Sequence, residues 1–310
     1  MKTSILVTGA HRSGTTWVGQ MIAQSSKVHY IQEPFNIDNP PGKGICGAKF
    51  NHWYTQITPE DENLYYKPLK KTISLSYDLL GQLLDRTSRK NLRRVLSEYK
   101  QFSCSKFSNK IALLKDPLAL FSAEWLFEKF KTKNIVLIRH PAAFASSLKR
   151  QGWDFDFSHF TSQCHLLNHP SFPFREDVHG YAQGPRKNIV EQSILLWKVI
   201  HARILYYRQK HPDWLFVRHE DISTQPIEGY AKIFKYLGLE FSAAIQDTVA
   251  DYSSSKNSVE AMDGATHTLR RNSRANVKTW QTRLSEAEVC SIYDGVKEIS
   301  SHFYVESDWA

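Results

Sequence analysis

The stretch SILVTGAHRSGTTW, Ser4 to Trp17, decides how the rest of the chain is read. An apolar run, Ser4 to Thr8, ends at Gly9; Gly14 follows after four intervening residues, and Thr15 and Thr16 come next. A short continuous apolar run bounded by glycine reads as a buried strand, and Trp17, Val18, Met21 and Ile22 fall on one face of a helix reaching about Ser25. Strand, glycine-bounded turn and helix are the frame of a phosphate-cradling loop, because unpaired amides and the helix dipole both favour negative charge there. The lysine that such loops place after the second glycine is missing. Thr15 stands in its position, and the cation is Arg12, inside the loop.

The same alternation returns along the chain. Lys110 to Lys115 and Asn134 to Arg139 are apolar strands, each followed by a helical stretch, through Phe130 and Lys149 respectively. Continuous apolar strands alternating with helices predict a central, mainly parallel sheet flanked by helices, an α/β fold. From Ile189 to Lys210 apolar residues recur at helical spacing, Trp214 to Asp221 reads as another buried strand, and Pro226 opens a helix that Gly238 stops. Ser285 to Glu288 offers a capping box for a last helix. Two segments break the rhythm: 36–109, aromatic and basic, and 152–186, rich in His, Pro and Phe. Such excursions form lids or substrate walls. A Ser- and Arg-rich segment, 251–280, precedes the last helix. With 310 residues, 41% of them hydrophobic, the expectation is one domain, 1–310, carrying these insertions.

No run approaches the roughly 20 apolar residues needed to cross a bilayer, and no signal-peptide pattern opens the chain, so a cytoplasmic protein is expected. Cys46, Cys104, Cys164 and Cys290 are scattered and suggest neither a disulfide framework nor a zinc cage. No metal site is assigned. The formal charge of +9 favours anionic partners without choosing among them.

The absent lysine bears on the chemistry. Nucleotide-hydrolysing loops use lysine and magnesium together against a highly charged terminal phosphoryl group. A less charged transferred group, such as a sulfuryl, needs only Arg12, Lys115 and hydroxyls. RSGTTW (Arg12 to Trp17) and IVLIRHPAAFASSLKR, with Arg139 at a strand end and Ser147 eight residues later, resemble the two nucleotide motifs of sulfotransferases that use 3′-phosphoadenosine 5′-phosphosulfate (PAPS). The resemblance implies a P-loop-like sulfotransferase fold. It also implies PAPS as donor, adenosine 3′,5′-bisphosphate as product, and no metal. On the donor side it implies His11, Arg12, Ser13, Gly14, Thr15, Thr16 and Trp17 around the 5′-phosphosulfate and Arg139 with Ser147 at the 3′-phosphate. His219 stands where the family has a tyrosine near the adenine, and Arg271, Ser273 and Arg274 lie in the segment that covers the nucleotide.

Lys115 precedes Arg139 by the spacing of a catalytic lysine in the cytosolic branch, but Pro117 occupies that branch's histidine position. Glu33, before Pro34 as in carbohydrate sulfotransferases, becomes the expected base, with His11 and Asp116 in reserve. The expected acceptor is a carbohydrate hydroxyl, with Trp53, Tyr54, Trp153 and Phe155 available to stack on sugar rings. Nucleic acid is not an expected partner, and the oligomeric state is open. Two rival readings are a small-molecule kinase using Asp116 as metal ligand, and a non-enzymatic module binding polyanions through the basic residues of the first excursion.

Overall fold

The structure is a computed structural model describing residues 3–38, 46–84, 92–259 and 269–310. Its opening run folds as β1 (Ile5–Gly9), buried throughout, and leads into α1 (Thr15–Ile22), whose Trp17, Val18, Met21 and Ile22 are buried as their spacing predicts. With β2 (Val28–Gln32), β3 (Ile111–Lys115), β4 (Lys133–Ile138) and β5 (Leu215–Arg218) it makes a five-stranded parallel sheet in the order β2-β3-β1-β4-β5, flanked by helices. The runs of β1, β3 and β4 are apolar at nearly every position because helices cover both faces of such a sheet.

The order puts β1 in the middle, with the chain leaving toward β3 on one side and β4 on the other. In open α/β sheets ligands bind beyond the carboxyl ends of the strands where the order reverses. Here that end carries the loop after Gly9 and, after β4, Arg139.

Internal contacts divide the chain into two compact units: residues up to Thr8 with Val18–Ile135, and Gly9–Trp17 with Val136–Ala310. In the first, Lys115 is in register with Val7 of β1 and Gln32 of β2. The first excursion is helical, with α2 (Glu62–Ile73), α3 (Leu79–Leu84) and α4 (Leu92–Phe107); its residues 39–45 and 85–91, including Arg89 and Lys90, lie outside the described residues. α5 (Ala123–Phe130) follows β3 through a short 3-10 turn.

In the second unit α6 (Pro141–Gln151) begins at a proline, whose missing N–H costs nothing there, and stops at Gly152 with φ 62°. The second excursion holds α7 (Ser158–Thr161), α8 (Cys164–Leu167) and α9 (Arg175–Gln183). α10 (Ile189–Lys210) has the expected span and is opened by an Asn188–Glu191 capping box. The strand expected through Asp221 ends instead at Arg218: β5 is a half-buried edge strand, and α11 (His219–Thr224) starts at once, with Glu220 and Asp221 in the first turn where the helix dipole favours acids. α12 (Pro226–Leu237), α13 (Ala243–Ser253), α14 (Ser273–Asn276), α15 (Trp280–Arg283) and α16 (Glu286–Ser300) complete the unit, α16 capped by Ser285 and Glu288 as expected. Of the segment 251–280, residues 260–268 lie outside the described residues.

Candidate functional site

The loop after β1 is shaped by its backbone. Gly9, at φ 140°, passes so close to β4 that an added Cβ would lie 2.3 Å from the Leu137 carbonyl oxygen. Arg12 and Gly14 both take left-handed conformations, φ 63° and 89°. Interleaving such residues gathers successive amides into an anion-binding nest. Ser13 closes the turn by giving its amide N–H and its hydroxyl to the Ala10 carbonyl. Thr15, buried, and Thr16, half-buried, open α1.

Around this loop the second unit assembles cations. Arg139 follows β4 directly, where its guanidinium donates to the Arg12 carbonyl. Its own carbonyl accepts from Trp197 Nε1 at 2.9 Å. Ser147, two turns into α6, accepts from Arg12 Nε at 3.1 Å, so the residue expected at the second motif is tied to the first. The Arg12 guanidinium also sits 5.2 Å from the centroid of the Trp153 ring. Burial, then repulsion from Arg139, Arg271 and Arg150, pushes the Arg12 pKa down to about 10. Arg139 is pushed to about 10 by burial, with Glu220 opposing and Arg271 and Arg283 adding to the depression. Burial is the main cause in both cases and neighbouring arginines add to it, so Arg12 and Arg139 hold buried positive charge that a bound anion would stabilise.

His219 forms the roof of the loop. A Cβ on Gly14 would lie 2.5 Å from its Nδ1, which explains the glycine. Trp17 meets His219 and Tyr230 edge-on, with centroids 6.3 and 5.4 Å away. Burial, then Arg139 and Arg271, lowers the His219 pKa to about 3, so the imidazole is neutral at pH 7. His11, packed edge-on against Phe144, is likewise held at about 3 by burial and Arg12, so it is a neutral imidazole in the wall of the loop. Among the described residues, Arg139 Nε, His219 Nδ1 and Trp17 Nε1 are buried without a hydrogen-bond partner, polar atoms that a bound polar ligand would satisfy.

The C-terminal segment arrives by backbone anchoring. The Arg271 amide donates to the Tyr252 carbonyl, the buried Ser273 hydroxyl to the Ser223 carbonyl at 2.6 Å, and Arg274 to the Thr224 carbonyl. Arg271 is therefore the residue of this segment whose charge reaches Arg12, Arg139 and His219.

The first unit holds a different cluster. Glu33 follows β2 in a left-handed conformation, φ 45°, and its amide donates to the Lys115 carbonyl at 2.8 Å. That turn brings its carboxylate onto Lys115 Nζ as an ion pair, while Asn36 Nδ2 holds the other oxygen at 2.9 Å. The Lys115 side chain is fully buried, its stem filling the space beside Gly19. Asp116 accepts from the Phe35 amide at 2.6 Å and the Leu118 amide at 2.9 Å, one on each oxygen. Burial, then the Glu33 charge, raises its pKa to about 7 against those amides and Lys115. With both oxygens engaged by backbone donors, Asp116 pins the chain after β3.

The sequence had not marked three contributors, Arg150, Glu220 and Asn36, and had offered Trp153 only as a stacking aromatic. Arg150 lies one helical turn beyond Ser147, a spacing that could have revealed it. Glu220 accepts from the His140 amide and the Tyr304 hydroxyl, both at 3.0 Å, and is a buried acid facing Arg139. Asn36 and Trp153 make contacts that sequence spacing does not encode. Of the proposed stacking aromatics, Tyr54 is completely buried against Phe121 and belongs to the core; Trp53, Trp153 and Phe155 are partly exposed.

Comparison with known proteins agrees with this picture. The model of the sulfotransferase family matches residues 4–243, and the chain belongs to that family, as its two motifs implied. It is an enzyme of the sulfotransferase class. Among solved structures, it resembles the sulfotransferase domain of the Synechococcus PCC 7002 olefin synthase at 14% identity, over 98% of this chain and 95% of that one, with a TM-score of 0.50. The sulfotransferase domain from the curacin biosynthetic pathway matches at 15% identity, over 96% and 98%, with a TM-score of 0.48. Mouse sulfotransferase SULT7A1, solved with PAP, matches at 11%, over 96% and 85%, with a TM-score of 0.45. At such identities the likeness concerns the fold. No curated protein matches the sequence. No described helix is long and apolar enough to cross a membrane.

Proposed function

We propose that this single-domain enzyme transfers a sulfuryl group from PAPS to a hydroxyl of a carbohydrate acceptor by direct in-line displacement, without a metal ion, in the cytoplasm. The observation that carries the donor assignment is the geometry of the loop: Arg12 and Gly14 in left-handed conformations gather its amides, Arg12 is hydrogen-bonded to both Arg139 and Ser147, and Arg139 Nε, His219 Nδ1 and Trp17 Nε1 are buried without a partner. A donor with a phosphate at each end and a sulfate supplies the negative charge this cluster lacks. Arg12, Ser13, Gly14, Thr15 and Thr16 hold the phosphosulfate end; Arg139, Ser147 and Arg271 hold the 3′-phosphate; neutral His219 and Trp17 line the base. Ser273 and Arg274 hold the covering segment in place through the Ser223 and Thr224 carbonyls. His11 completes the loop wall.

The donor, when bound, supplies the sulfuryl group. Arg12 and the loop amides stabilise negative charge developing on sulfuryl and phosphate oxygens, a preorganised electrostatic contribution. Glu33 takes the proton of the acceptor hydroxyl, and Lys115, paired with it, holds the carboxylate in place. The Trp153 face beside Arg12 supports the carbohydrate reading, since a partly exposed ring next to the transfer loop can stack on a sugar. The kinase reading asks Asp116 to hold a metal, whereas its two amide bonds give it a role in fixing the chain after β3.

The test is thermal stabilisation by adenosine 3′,5′-bisphosphate with and without magnesium, since a ligand of the native state raises the melting temperature. Stabilisation independent of magnesium is expected. No shift at saturating ligand overturns the donor assignment, and a shift that needs magnesium overturns the metal-free mechanism.

A further inference from the structure

α4 has two apolar faces, and the fold uses one of them. Val95 and Phe102 are buried, Phe102 against Tyr77 and His29, and they hold the helix to the first unit. Leu92, Leu96, Tyr99 and Phe107 follow at steps of four, three and eight, which places them along a second face. Their exposures are 57%, 49%, 42% and 94%. This outer stripe runs the length of the sixteen-residue helix, about 23 Å. Leu80 and Leu83 are also exposed on α3, which packs against α4.

Within α4 the charges beside the stripe have one sign. Of the five charged residues of the helix, four are basic: Arg93, Arg94, Lys100 and Lys106. Arg93 and Lys100 flank the stripe on one side and Lys106, which donates to the Ser76 hydroxyl at 2.7 Å, on the other. The single acid, Glu98, is turned away from it, accepting from Arg94 Nε and from the Tyr77 hydroxyl, both at 2.8 Å.

We propose that the outer face of α4 is a docking surface for an anionic lipid bilayer, on which the helix lies flat with Leu92, Leu96, Tyr99 and Phe107 in the acyl boundary and Arg93, Lys100 and Lys106 among the headgroups. An apolar stripe edged by lysine and arginine on a helix too polar to span is the pattern of interfacial binding. A second copy is a poorer occupant. Self-pairing through this face would set Arg93, Lys100 and Lys106 opposite their own equivalents in a chain of net charge +9. A side chain as exposed as Phe107 lies on a ridge, suited to a deformable surface and not to a partner's preformed pocket. The inference does not depend on the reaction proposed above.

The test is co-sedimentation of the full chain with vesicles of phosphatidylcholine alone and of phosphatidylcholine mixed with phosphatidylserine. Binding to the mixed vesicles only, weakening as salt rises, is expected. Arg93→Gln and Lys100→Gln should each weaken it about fivefold, and the Leu96→Glu, Phe107→Glu double variant should abolish it with an unchanged circular dichroism spectrum and melting temperature. Ile227→Glu, at an exposed apolar residue of α12, should bind like the wild type. Absence of binding to the mixed vesicles overturns the proposal, as does equal binding by the α4 double variant or equal loss in Ile227→Glu. A dimer in solution that the double variant disperses also overturns it, because the face would then belong to a second copy.

Discussion

Each unit holds a cluster of charge, and the two are built differently. In the second unit Arg12 and Arg139 are buried, Arg271 adds positive charge to both, and the buried acid Glu220 faces Arg139. In the first unit Lys115 and Glu33 neutralise each other, Asn36 fixes the carboxylate, and Asp116 is satisfied by two amides. In the arginine cluster, Arg139 Nε and His219 Nδ1 are buried without a hydrogen-bond partner. In the other, the Glu33 and Lys115 side chains are paired with each other.

The comparison breaks most readily at Glu33. Gln in its place keeps the Asn36 contact but removes the proton acceptor, so turnover should fall about 10²–10⁴-fold while bisphosphate binding, measured by titration calorimetry, stays unchanged. Equal loss of binding and turnover would show that Glu33 belongs to the donor site instead. Arg139→Ala probes the arginine cluster. Bisphosphate affinity should fall by roughly 10²–10³, and the ligand-free protein should melt only a few degrees lower, because buried Glu220 loses the cation it faces while repulsion on Arg12 is relieved. A ligand-free variant that melts much lower would mean that the arginine is structural and that its crowding with Arg12 is incidental.

The other cluster is tested by pH. The Asp116 pKa of about 7 lies above its unfolded value, so the native state holds the extra proton. Its contribution is fully present below about pH 4 and is lost as pH rises through 7, at up to about 1.4 kcal/mol per pH unit. Asp116→Asn lacks this dependence and retains one amide contact. Urea unfolding at pH 5 and pH 8 should therefore show the variant gaining on the wild type at the higher pH; a constant gap would mean that the carboxyl is ionised throughout.

The two clusters were unequally legible in the sequence. Gly9, Arg12, Gly14 and the Arg139–Ser147 pair lie in local patterns whose spacing reflects a strand, a turn and a helix, so the loop and its second motif could be read directly. Lys115 and Glu33 were found as strand-end residues, but their pairing depends on β2 and β3 lying side by side, which no local spacing states. Arg150 and Glu220 were missed for a similar reason: one lies just past the helical stretch read to Lys149, the other was part of a longer strand, and only the early end of β5 turns Glu220 inward. Tyr54 shows the reverse error, an aromatic residue of a variable-looking excursion that the core absorbs.

The smallest expected effect concerns the joint between Arg271 and the rest of its unit. The Ser273 hydroxyl is buried and donates to the Ser223 carbonyl at 2.6 Å. It carries no charge toward the cluster, so if it matters for the donor it does so by holding the segment on which Arg271 is mounted. Ser273→Ala should cost about 1 kcal/mol of stability, the worth of one buried hydrogen bond. The same loosening should reduce bisphosphate affinity by about fivefold if segment mobility is transmitted in full to Arg271. Arg271→Ala, which removes the charge itself, should reduce affinity further and leave stability intact. A Ser273→Ala protein that melts lower yet binds the bisphosphate like the wild type would separate the two, leaving Arg271 positioned by its own amide bond to Tyr252.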